Sequence, residues 1–281
     1  MDRRPLGLPP LLVAHRLRQV DQALLALLRS LEASDWDLPV IVPSWTVRDV
    51  AAHLLDTASR KLSLARDACF VERPAIHSPG DLVAFVNRLN REGVAVYRRL
   101  SPALLIEWME LVCLQSAAFH ESLDPFAPSL FPVSWAGEQT SLNWFDTARE
   151  LTERWHHQQQ IRLAVGRPGI LVPELYHPVL NCFVRGLPHH LRNEPRPDGA
   201  SLVLRITGDS GGEWTLLAHD SQWRLAPGAH PSPSARVIIP EEIAWRIFTK
   251  GISRQSALPL CTCEGDPRLC EAVLSLVAIV G

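Results

Sequence analysis

The stretch Ser44-Trp45-Thr46-Val47-Arg48-Asp49-Val50-Ala51-Ala52-His53-Leu54 reads as the opening of a helix. Thr46 is an N-cap residue type, and Asp49, three positions later, can return a hydrogen bond to it in a variant of the capping box. Behind the cap, Val47, Val50, Leu54 and Leu55 recur at helical spacing. Trp45, just before the cap, is placed to staple the entrance against that stripe. A helix with one apolar face must bury it against other elements, so the segment predicts a helical bundle. His53 falls three residues after Val50, on the side expected to face the bundle interior. An imidazole there needs a partner, because burying one unpaired is costly.

Outward from this segment the helical reading continues. Leu11, Leu12, Leu17, Val20, Leu24, Leu25, Leu27 and Leu28 recur at helical spacing before Trp36. A long helical stretch runs from about Pro79 to Leu123 and breaks near Ser101-Pro102, because Pro102 cannot continue the preceding hydrogen-bond ladder. Residues 124–139, rich in Pro, Ser and Gly, read as a loop. A further helix covers about Leu142 to Val165 and stops at Gly166, with Pro168 beyond it, and a shorter one spans about Pro173 to Leu191.

At Asn193-Glu194-Pro195-Arg196-Pro197-Asp198-Gly199 the texture changes to linker chemistry. After it the period becomes two: Leu202, Leu204 and Ile206 alternate with Val203, Arg205 and Thr207. Gly208 to Gly212 reads as a hairpin turn, and further strands follow at Trp214 to Ala218, Gln222 to Leu225 and Arg236 to Ile239. Helices at about Pro240 to Thr249 and Asp266 to Val280 close the chain. The expected fold class is α+β in two domains: a four-helix-type bundle over 8–192 and a small α+β domain over 198–281 with an antiparallel-type sheet.

Composition narrows the function. A formal net charge of -2, from 28 Lys+Arg against 30 Asp+Glu, argues against a polyanion-binding surface and so against a nucleic-acid partner. Lysine occurs only at Lys61 and Lys250; every other basic residue of that count is Arg. The longest apolar run, Val273 to Val280, is shorter than the ~20 residues a bilayer span needs. Pro5, Pro9 and Pro10 interrupt any signal-peptide core. The expectation is a cytoplasmic protein with no membrane partner. Its six cysteines read as reduced thiols, because the chain is neither short nor Cys-dense. Cys261, Cys263 and Cys270 lack the matching second pair of a metal site.

The chemistry concentrates in Glu153-Arg154-Trp155-His156-His157. Glu153 and His157 are four apart and project from one helix face. Such a pair can hold a divalent ion, and it can equally be a solvated ion pair or a satisfied interior His. His53 would meet a carbonyl or carboxylate, or would share a metal with Glu153 and His157 across the bundle, where such sites are built. A His, Glu, His set leaves a fourth position open for water or substrate. His156 points about 100° away from His157 around the helix and is expected to support the site or face outward.

These two segments together resemble the mycothiol-dependent maleylpyruvate isomerase family. Trp45-Thr46-Val47-Arg48-Asp49-Val50 with His53-Leu54 is similar to its first motif. Glu153, His157, Ile161, Arg162 and Gly166 are similar to its second. Thr207-Gly208-Asp209, Trp214, Trp245-Arg246 and Gly265-Asp266 resemble its sterol-carrier-protein-like C-terminal domain. The resemblance covers nearly the whole chain in order. It implies a DinB-like four-helix bundle whose metal, usually zinc, is held by His53, Glu153 and His157. It implies isomerase or transferase chemistry with mycothiol or another low-molecular-weight thiol on a small-molecule electrophile such as maleylpyruvate. The thiolate would add to a double bond, the adduct would rotate, and the thiol would leave. Arg246, near the cleft that the second domain covers, is the candidate catalytic side chain. The chain departs from the family at Gln160, where an Asp is usual; Gln brings no outer carboxylate charge to the ligands. A thiol S-transferase or conjugate hydrolase at the same site, and a non-catalytic small-ligand-binding protein, are the alternatives.

Overall fold

The computed structural model describes residues 7–194, 197 and 199–279. The linker residues Pro195, Arg196 and Asp198, and the end of the last expected helix at Val280, lie outside them.

The bundle begins with α1 (Ala14–Arg29), followed by α2 (Val47–Lys61). The cap forms as its residues dictate: Thr46 Oγ1 accepts from the Asp49 N–H at 3.4 Å, and Asp49 Oδ2 accepts from the Thr46 N–H at 3.0 Å. The long third stretch divides at Pro102 into α3 (Pro79–Tyr97) and α4 (Pro102–Ser122). Gly93 of α3 lies hard against α2: a Cβ there would stand 2.2 Å from Asp56 Cγ. That close approach lays α3 along α2 as an outer wall. Next come α5 (Asn143–Ala164), α6 (Pro173–Val184) and the short α7 (Leu187–His190).

The C-terminal region holds β1 (Ser201–Ile206), β2 (Gly212–His219), β3 (Gln222–Pro227), β4 (Ala235–Ile239), α8 (Glu241–Phe248), α9 (Arg254–Ala257), β5 (Thr262–Gly265) and α10 (Pro267–Val273). The sheet order is β3-β2-β1-β4-β5. The pairs β1·β2, β2·β3 and β4·β5 are antiparallel, whereas β1 and β4 run parallel, with Leu204 opposite Val237. The sheet is therefore mixed. Residues 228–234 carry the chain from the β3 edge to the other side of β1, which leaves β4 running in the same direction as β1. The closing helix is shorter than expected. It ends at Val273, and the buried Leu274, Leu276 and Ala278 lie beyond it in turn and loop.

Two cores hold the molecule. One joins α1, α2 and α4 through Leu24, Leu28, Trp36, Val50, Leu55 and Met109. The other runs without a break from α5 and α6 into the sheet and α8. Its joint is aromatic. Tyr176 stacks on Trp155 at 4.3 Å and 6°, and Trp245 meets Trp155 edge-on at 6.2 Å. The Tyr176 hydroxyl donates to the Glu241 carbonyl at 2.6 Å and accepts from the Trp245 N–H at 3.3 Å. Among the described residues, α4 is the one helix long and apolar enough to cross a membrane by length and composition. It packs on α1 and α2 through Leu105, Met109, Cys113 and Ala117.

Candidate metal centre

Two helices supply the site. The capped start of α2 sets the turn that carries His53 into the interior, where it is 5% exposed. α5 is buried along most of its length, so residues on more than one of its faces point inward. Glu153, His156 and His157 meet His53 there. The His53 and His157 rings lie 4.6 Å apart at 71°, and His156 and His157 4.0 Å apart at 36°. His157 Nε2 is 3.6 Å from Glu153 Oε2. The donor atoms of Glu153, His156 and His157 all lie within 4.8 Å of one another, the one such group among the described residues. Trp45 meets the edge of His53 at 5.1 Å, so the expected staple also walls one side of the site.

Electrostatics favour metal-ready forms. Burial pushes the His53 pKa well below its ordinary value, and the neighbouring His157, Arg60 and His156 push it the same way. His156 is lowered to about 3, again by burial first and then by His157. Both rings are neutral at pH 7 and can offer a lone pair. For Glu153 burial works upward, but the surrounding His157, His156 and Arg149 outweigh it and hold it below the usual carboxylate value. Two outer hydrogen bonds fix tautomers. His157 Nδ1–H donates to Gln160 Oε1 at 2.9 Å, leaving Nε2 toward Glu153. Gln160 thus orients the His157 ring without bringing a charge to it. His156 Nδ1–H donates to the Thr152 carbonyl at 2.8 Å. His53 Nδ1 is buried with no hydrogen-bond partner. A neutral imidazole with an orphaned nitrogen, beside two more imidazoles and a carboxylate, fits a divalent ion of the zinc type.

The cluster lines a cavity of about 570 Å³. α3 gives it an apolar wall of Leu82, Phe85, Val86 and Leu89, and both lysines of the chain, Lys61 and Lys250, line it. Beneath lies a network of buried charges. Lys61 and Arg149 both bond Asp146. Arg154 bonds Asp21, Glu150 at 3.2 Å and Ser116 at 2.7 Å. Burial raises Glu150, yet Arg154, His120 and Arg149 outweigh it and bring the pKa to about 2. Burial wins at Asp21, which is pushed up to about 6 despite Arg154.

The second region reaches the cavity with Thr249, Lys250, Gly251 and Ile279. Arg246 is not among the lining residues. It sits one turn back on α8, and its carbonyl accepts from the Gly251 N–H at 2.7 Å. Sequence reasoning missed His156 as a member of the cluster, and missed the rim after α8. Burial pushes the Cys182 and Cys270 thiols up to about 12.

A bundle that gathers imidazoles and a carboxylate from two helices beside a cavity, with a mixed-sheet domain at its rim, defines a two-domain protein with a metal-type donor cluster. Residues 17–162 match the family model described as the mycothiol maleylpyruvate isomerase N-terminal domain. That match spans over half of the chain, and the chain belongs to this family. Two crystal structures share the fold. One is of a histidine-to-alanine mutant of the mycothiol-dependent maleylpyruvate isomerase, at 14% identity and a TM-score of 0.56, covering 92% of this chain and 93% of that one. The other is of the mycothiol-dependent maleylpyruvate isomerase, at 15% identity and a TM-score of 0.50, covering 85% and 88%. A search of curated proteins finds no match.

Proposed function

We propose that the chain is a metal- and thiol-dependent isomerase or transferase acting on a small electrophile such as maleylpyruvate, with mycothiol or a similar thiol. Residues 8–192 carry the donor set His53, Glu153 and His157, and 198–281 cover the cavity. The ion, when bound, would supply a Lewis acid that favours a coordinated thiol as its thiolate. The other contributions come from this chain's own side chains. Gln160 holds His157 in the tautomer that presents Nε2. Burial keeps His53 and His156 unprotonated at neutral pH, so protons do not compete for their lone pairs. The α3 wall excludes water, and Arg60, Arg149 and Lys250 bring positive charge to the cavity for an anionic substrate. Arg246 takes part as a positioning residue, through the loop that its carbonyl ties at Gly251.

The observation that carries this reading is the buried imidazole cluster beside Glu153 on the cavity lining. The test is elemental analysis of protein purified without added metal, followed by turnover of maleylpyruvate with and without mycothiol. A stoichiometric divalent ion, lost in His53→Ala and His157→Ala, is expected, as is turnover that requires the thiol. Protein without the ion, or turnover indifferent to the thiol, overturns the reading. The apolar wall of Leu82, Phe85, Val86 and Leu89 favours one second reading, thiol S-transfer to a less polar electrophile at the same site.

A further inference from the structure

We propose that His156 is a fourth protein donor to the metal centre, beside His53, Glu153 and His157, so that a coordinating thiol would enter as a fifth ligand and not at an open fourth position. The inference rests on the metal reading above and extends it to a residue outside that donor set. Helical geometry puts Glu153 between the two histidines: at 100° per residue His156 lies about 60° to one side of it and His157 about 40° to the other. Both rings therefore reach the same carboxylate. Their donor atoms and Glu153's share one 4.8 Å neighbourhood, which small rotamer movements close to the roughly 2.0–2.2 Å bonds of an N/O site.

The ring of His156 is also prepared for this role. It is 1% exposed, and its Nδ1–H is committed to the Thr152 carbonyl. The free lone pair is then on Nε2, and a ligand's outer hydrogen bond of this kind fixes which nitrogen meets a metal. The ring lines the cavity rather than the packed core behind it. A purely structural His156 would need only the Thr152 bond, which leaves the convergence of its ring on Glu153 and His157 without a purpose.

The test compares wild type with His156→Ala and His156→Gln. The glutamine variant keeps a hydrogen-bond donor and most of the volume, so it carries the test if the alanine variant does not fold. Two measurements need no turnover: the Zn²⁺ dissociation constant by chelator competition, and the visible ligand-field spectrum of the Co²⁺-substituted protein. Displaced Co²⁺ bands and Zn²⁺ binding weakened by roughly 10-fold or more are expected in the folded variants. Co²⁺ bands equal to wild type, with circular dichroism unchanged, overturn the fourth-donor assignment even where Zn²⁺ binding weakens, as it does on loss of an outer partner, and leave the three-donor reading standing. Wild-type protein that takes up neither ion overturns both.

Discussion

α4 and α5 are both long helices of the bundle, and they invert the usual relation between composition and place. α4 is the more apolar, yet it leaves Trp108, Leu111 and Leu114 46%, 57% and 57% exposed. α5 carries Asp146, Glu150, Arg154, His156, His157 and three consecutive glutamines, and it is the more buried. The difference lies in what each helix faces. α4 touches the bundle along one stripe, so its apolar surplus remains outside. α5 is enclosed by α1, α2 and α6; its buried charges Asp146, Glu150 and Arg154 are each paired, whereas the buried Gln158 amide has no hydrogen-bond partner. Burial here follows position in the bundle, and the stability that a hydrophobic α5 would give is forgone for a donor cluster and the ion network beneath it.

Breaking that network should have the largest effect. Arg154→Met strands Asp21 and Glu150 in the interior, and loss of one partner of a buried ion pair costs about 3–5 kcal/mol. Urea unfolding reads this directly, and a loss below about 1 kcal/mol would mean that the network is not the structural support described.

Asp21 gives a pH signature next in size. Its folded pKa, about 6, lies above its ordinary 3.8, so the folded state holds the proton more tightly. That contribution is complete below about pH 4 and is lost as pH rises through 6, on the order of 3 kcal/mol. Asp21→Asn should flatten this fall in unfolding free energy between pH 4 and 6. Glu150 works the other way: its support is full above about 4.5 and disappears as pH falls toward 2. Because His53 and His156, lowered by burial, make stability rise over the same range, the test is the difference between wild type and Asp21→Asn, and equal slopes in the two would contradict the assignment at Asp21.

Gln160→Ala removes the acceptor that orients His157, and metal affinity should fall by roughly 10–100-fold while the fold persists. Chelator competition measures this. On α4 the expected effect is smallest: Leu111→Gln should change stability by no more than about 0.5 kcal/mol, because its side chain is already in water. A larger loss would show that α4 is covered in solution.

The sequence was most legible where local chemistry decides the structure. Thr46 and Asp49 mark the start of α2, Pro102 divides α3 from α4, and alternation marks β1. The resemblance brought His53, Glu153 and His157 together; the structure sets the His53 ring against His157, and the donor group within 4.8 Å is Glu153, His156 and His157. Other features depend on distant partners. The parallel pairing of β1 with β4 is set by a crossover, which no alternation pattern records. β5 is exposed at all four residues, so it has no apolar signature. Beyond Val273, buried Leu274, Leu276 and Ala278 signal burial but not helix. His156 was placed aside because one helix was taken to have one interior face. α5 has more than one, so a 100° offset still points inward.

The aromatic joint decides how anything could reach the cavity. Trp155 is the neighbour of His156 in the chain, and Tyr176 grips it by stacking while its hydroxyl bonds the first turns of α8. Swinging the sheet region away would tear this joint apart and drag on the cluster itself. The apolar wall of the cavity is held differently. Residues 67–78 leading into α3 form no helix or strand and are almost wholly exposed, and α3 rests mainly on α2. Leu82, Phe85 and Leu89 thus stand on the wall that is held apart from the aromatic joint.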